Sequence, residues 1–130
     1  MRWGNMKKPW IGVDLDGTLA RYEAYQEGVV GDPIWPMVER VRAVLAAGQY
    51  DVRVFTARAN NFNDVAAIRD FLIMAGLAGL EITDHKDPAC IEIWGDRCRQ
   101  VLRNAGEFAL PYDGDFTPNM QKSYHDIQKT

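Results

Sequence analysis

Trp10-Ile11-Gly12-Val13-Asp14-Leu15-Asp16-Gly17-Thr18 is the stretch on which the fold turns. Its first half is a short apolar run, the mark of a buried strand, and Asp16-Gly17 supplies the turn that ends it. An aspartate delivered at the end of a buried strand is costly unless something pairs with it. One reading makes Asp14 a turn cap and Asp16-Gly17 a plain turn. The other takes two neighbouring carboxylates as a means of holding a hard cation or of dividing acid and base roles. The segment alone leaves both open.

Working outward, residues 20 to 36 read as an irregular excursion, after which Pro36 suits the first turn of a helix. Met37, Val38, Val41, Val44 and Leu45 recur on one face of that helix, and Gly48 stops it. Val52 to Phe55 is a second strand ending at Thr56. A second helix follows, capped by Asn63-Asp64, with Val65, Ile68, Leu72 and Ala75 as its apolar positions and Gly76 as its end. Leu80 to Thr83 and Cys90 to Trp94 are further strands, whereas residues 97 to 103 fit a helix or a strand equally. Strands alternating with helices predict an α/β fold, a three-layer Rossmann-like parallel sheet with helices on both faces. Ligands of such sheets bind beyond the carboxyl ends of the strands. Asp14 and Asp16 follow the first strand, Thr56 the second, Lys86 the third and Asp96 the fourth.

The chain has 130 residues, 47% hydrophobic and 25% charged, which suits one ordinary globular domain. That domain is expected over residues 1–110, with a loosely held tail over 111–130. A net charge of -3 argues against nucleic-acid or anionic-membrane attraction spread over the whole surface; a local basic patch and direct nucleic-acid binding stay open. The apolar run Leu72 to Leu80 is too short to span a bilayer, and no signal peptide fits the start. Cys90 and Cys98 form no CxxC pair, so neither a disulfide framework nor a zinc site is suggested. The expected compartment is the reducing cytoplasm.

At these strand ends the sequence resembles the haloacid dehalogenase (HAD) superfamily. Its first motif, DxDGT after a hydrophobic strand, is matched by Asp14, Asp16, Gly17 and Thr18. The second, a strand ending in Thr or Ser, is matched by Thr56 with Ala57-Arg58 behind it; the third by Lys86; the fourth by Gly95-Asp96. The first motif is fairly specific and the others gain weight from their order. The resemblance is to small phosphatase-like members of bacterial and phage genomes. It implies a HAD-like fold and Mg²⁺-dependent hydrolysis of a phosphate monoester through an aspartyl-phosphate, the substrate being a small molecule, a nucleotide or a nucleic-acid end.

On that resemblance Asp14 is the nucleophile, and Asp16 carries a proton to the leaving oxygen and then withdraws one from water. Thr56 donates a hydrogen bond to a phosphoryl oxygen, and Lys86 places a positive charge on the phosphate. Mg²⁺ is held by Asp14, the backbone carbonyl of Asp16, and Asp96. Leu15, Gly17 and Thr18 cradle the substrate through backbone N–H groups, with Ala57 and Arg58 beside them. Gly95 stands where many relatives have a second acid, and Gly95→Asp is expected to be tolerated. Leu19 to Pro36 is too short for a folded lid, so no large cap is expected. The open site admits bulky ligands or is closed by a second copy in a homo-oligomer. Tyr22, Tyr25 and Trp35 can form an aromatic flap over it or pack against the sheet.

Plainer readings stand beside these. Thr56 can be an ordinary strand-end hydroxyl and Lys86 solvated surface. Arg97, Arg99 and Arg103 can line a phosphate-rich ligand but read first as a solvated or ion-paired edge, and Asp113-Gly114-Asp115 resembles a metal loop but reads first as a turn. A non-catalytic HAD-like module that binds a phosphorylated ligand or protein is the main alternative, against which the presence of Asp16 argues. A receiver domain fits less well, because its phosphorylated Asp follows the third strand.

Overall fold

The computed structural model describes residues 8–110, so the tail expected over 111–130, with Asp113-Gly114-Asp115, lies outside the described residues. Four strands form one parallel sheet in the order β3-β2-β1-β4: β1 Trp10–Val13, β2 Asp51–Phe55, β3 Glu81–Thr83 and β4 Cys90–Trp94. Helix α1, Trp35–Ala47, joins β1 to β2, and α2, Phe62–Ala75, joins β2 to β3. The α/β reading of the sequence therefore holds, with β1 central.

Register explains which residues are buried. Ile11 lies level with Val52 and Val13 with Val54, so these four share one face of the sheet. Onto that face pack Val38 and Val41 of α1 and Ile68, Phe71, Leu72 and Ala75 of α2, in a single core. Arg42 of α1 donates to the Ala75 carbonyl at 2.7 Å, tying the two helices side by side. Leu45, expected on the buried stripe, is exposed.

The expectation of helices on both faces is not met among the described residues. Two successive right-handed crossovers that step in the same direction must leave both helices on the same side. The return from β3 past β2 and β1 to β4 uses residues 84–89, too few for a helix. The second face therefore carries Trp10, Gly12, Arg53, Phe55 and Ile93 with a different cover. Asp87 of the return segment accepts from Trp10 Nε1 at 2.9 Å, and the Arg53 guanidinium lies 4.3 Å from the Trp10 ring centroid. Trp10 is fully buried under this arrangement.

Local signals mostly fall where the sequence puts them. Pro stands in the first turn of α1 and Gly48 ends it. The cap of α2 is Asn61 rather than Asn63-Asp64: its Oδ1 accepts from the Asp64 N–H at 2.9 Å. Residues 97–103 are neither helix nor strand; Val101 forms one isolated bridge to Phe108. No helix among the described residues is long and apolar enough to cross a membrane.

Candidate active site

The chain leaves β1 for β2 on one side, and β4 lies on the other. The carboxyl end of β1 is thus the switch point at which a parallel sheet opens a crevice. Asp14 is the first residue past β1 there. A cavity of about 550 Å³ opens beside it, lined among others by Asp16, Tyr22, Tyr25, Thr56 and Arg97. A second, more apolar cavity of about 480 Å³ meets the same Asp14, Thr56 and Arg97 and runs against Phe55 and Ile93.

Burial is the main reason that the Asp14 carboxyl is raised to about 6. The Leu15 N–H, donating to its Oδ1 at 2.8 Å, works against burial, and the charges of Asp96 and Asp16 add to it. Asp14 thus lines the cavity beside the negative charges of Asp96 and Asp16, with the Arg97 charge opposing them.

The loop after β1 is held shut by its own backbone. Gly17 N–H bonds to the Ala20 carbonyl at 2.8 Å and Thr18 N–H to that of Leu15 at 3.2 Å. The Leu15, Gly17 and Thr18 N–H groups are thus engaged within the loop in this conformation. The Leu15 side chain is core instead. Gly17 and Thr18 serve Asp96. Thr18 Oγ1 accepts from the Asp96 N–H at 3.1 Å and lies 3.3 Å from Asp96 Oδ1. Gly17 has φ +82°, and a Cβ there would stand 2.5 Å from Asp96 Oδ2. Only glycine allows both the turn and that approach.

Gly95 is also crowded. A Cβ on it would meet Cys98 Sγ at 3.1 Å and Asp14 Cβ at 3.5 Å, so Gly95→Asp would press the neighbours and add a like charge beside Asp14.

Thr56 is buried and lines both cavities with Ala57. Its Oγ1 accepts from the Arg58 N–H at 3.1 Å at the start of a 3₁₀ turn, Ala57–Asn60, which leaves its own proton to donate. Arg58, expected at the substrate, lines the first cavity and is buried between two acids. Its Nε and Nη2 reach the two Asp16 oxygens at 2.8 and 3.1 Å, and Nη1 reaches Asp64 Oδ1 at 2.9 Å and the Gln26 carbonyl at 3.1 Å. Burial opposes the guanidinium charge, but Asp16 and Asp64 outweigh it and raise its pKa.

Asp64 also accepts from Tyr25 Oη and Gly28 N–H, each at 2.8 Å. These bonds and Arg58 more than offset burial, and its carboxyl falls below the usual carboxylate range. The excursion is thereby tied to α2. The sequence reads Asp64 only as a cap; the signal that points further is its place on one helical stripe with Ile68, Leu72 and Ala75, where a buried carboxylate calls for a cation.

The structure does not bring Lys86 to the cavity. It is exposed on the return segment and lines neither space. Arg97, set aside as a surface edge, lines both, with its guanidinium 5.9 Å from the Tyr22 ring centroid. Trp35, exposed at the start of α1, is not part of the lining.

Among the described residues no three acidic, imidazole or thiol side chains form a metal-binding group. The donors that the resemblance assigns to Mg²⁺ are Asp14, Asp96 and the Asp16 carbonyl. Two carboxylates with a carbonyl are hard oxygen donors of the number Mg²⁺ takes when it keeps several waters. Gly17 lies against the Asp96 carboxylate and Gly95 against Asp14, so the ends of β1 and β4 are adjacent. The donor set fits. Scans of protein-family models, curated proteins and solved structures found no match to this chain.

Proposed function

We propose that this chain is a HAD-type, Mg²⁺-dependent phosphatase that cleaves a phosphate monoester through an aspartyl-phosphate on Asp14. The observation that carries the proposal is the position of Asp14: partly buried, close to Asp96, at the switch point of a parallel sheet and lining two cavities. A carboxylate so desolvated is a poor structural cap and a strong nucleophile once its charge is matched. Asp14 attacks phosphorus and the bond to the leaving oxygen breaks. Thr56 donates to a phosphoryl oxygen. Asp16, once its carboxylate has left the Arg58 fork and taken up a proton from solvent, gives that proton to the leaving oxygen. The carboxylate so regenerated withdraws a proton from the water that attacks the aspartyl-phosphate, releasing phosphate and freeing Asp14. Mg²⁺, when bound by Asp14, Asp96 and the Asp16 carbonyl, supplies positive charge between those carboxylates and the phosphate. The cavity volume suits a nucleotide-sized substrate, which supports that class without naming a member.

The Arg58 fork also favours a second reading, a non-catalytic module that binds a phosphorylated ligand, because it holds the would-be proton carrier as a hydrogen-bond acceptor. Release of phosphate from a panel of phosphate esters, with Mg²⁺ and with excess EDTA, separates the two. Turnover that requires Mg²⁺ and vanishes in Asp14→Asn supports the phosphatase. Saturable phosphate binding with no turnover supports the module, and full activity in Asp14→Asn overturns both.

A further inference from the structure

We infer that Arg97 is the side chain that clamps the transferring phosphoryl group, in the role that motif order assigns to Lys86. The inference rests on the phosphatase reading and adds a residue to it. A phosphoryl group in transfer spreads its charge over three oxygens, and a site already holding Asp14, Asp16 and Asp96 needs side-chain cations to receive it. Arg58 and Arg97 are the cations lining the main cavity. Arg58 is engaged by Asp16 through Nε and Nη2, and when Asp16 leaves that fork its Nη1 stays tied to Asp64 and the Gln26 carbonyl, which holds the guanidinium beside α2. No salt bridge to Arg97 is present among the described residues, and its charge acts directly on Asp14.

Three features aim Arg97 at the phosphoryl position. It lines both cavities where they meet at Asp14 and Thr56. Its backbone follows Asp96, whose N–H is fixed by Thr18. Its guanidinium lies over Tyr22, which limits the side chain without consuming its N–H donors. A planar fork can then take two phosphoryl oxygens at once, which an ammonium cannot copy.

The test is steady-state kinetics on an activated aryl phosphate, with inhibition by orthophosphate, in Arg97→Ala, Arg97→Lys and Lys86→Ala. Arg103→Ala is the surface control. Arg97 is exposed, so matched thermal melts of the variants are expected. Arg97→Ala should lower kcat/KM by about 10²-fold or more and weaken orthophosphate inhibition, with Lys restoring only part. Arg103→Ala should stay within about twofold. Loss in Arg97→Ala of less than about threefold, or a larger loss in Lys86→Ala, overturns the inference while leaving the phosphatase reading intact. If the wild type hydrolyses no ester, that reading fails, and direct orthophosphate binding decides Arg97 alone: weakened in Arg97→Ala supports it, unchanged overturns it.

Discussion

Asp14 links function to stability. Its carboxyl titrates near 6 in the folded chain against an ordinary value of 3.8, so between about pH 4 and 6 the folded protein holds a proton that the unfolded chain has released. Stability contributed by this group therefore falls as pH rises through that window; the cost is absent below it and complete above it. The shift sets an upper limit near 3 kcal/mol, reduced to about 1–2 kcal/mol because water still reaches the group. Asp14→Asn, whose amide oxygen keeps the Leu15 bond, should be more stable than the wild type by that amount at pH 7.5 and equal to it at pH 3.5. Urea titrations at the two pH values check this, and a constant difference across pH would show that burial of the charge is not the cause. The sequence displayed Asp14, Asp16, Thr56 and Asp96 because strand ends are readable from apolar runs. Arg97 and Asp64 were harder to see, because their meaning comes from what the fold brings opposite them.

At the scale of elements, the helix ends were readable to within two residues. The miss at α2 is informative: Asn61, Asn63 and Asp64 are all competent caps, and the choice fell to Asn61 because the 3₁₀ turn over Ala57–Asn60 places it at the helix entry. Asn61→Ala should cost about 1 kcal/mol, seen as a drop in Tm, by leaving the Asp64 N–H without its acceptor. Asn61→Asp should recover most of the loss. Arg58 joins three elements, the loop after β1, the excursion and α2. Arg58→Ala should cost about 3–5 kcal/mol, because Asp64 would stay buried without its cation. Denaturant unfolding measures it; a loss under 1 kcal/mol would mean that water replaces the guanidinium.

For the whole molecule, alternation of strands and helices made the parallel sheet legible, but it does not report which face each helix covers. That depends on the direction of each crossover, and the short return over 84–89 leaves the second face to side chains. Asp87 is central to that cover. Asp87→Ala removes the acceptor of a fully buried indole N–H and should cost about 1–3 kcal/mol, measurable as a lower denaturation midpoint. Asp87→Asn, which keeps an acceptor oxygen, should cost less.

The excursion between β1 and α1 is pinned at its base. Arg21 N–H meets the Asp32 carbonyl at 2.8 Å, Ile34 N–H meets that of Leu19 at 2.7 Å, and Ala20 bridges Pro33. Its two stems thus stand one rung apart. The closure entropy of such a loop rises by only about 0.6 kcal/mol for each doubling of its length. The stem pair is therefore a grafting port, where segments of other lengths can be spliced to change what covers the crevice while Asp14 stays in place. Tyr25 and Gly28 set the condition on any graft: it must return two donors to Asp64 or leave a buried carboxylate short of partners.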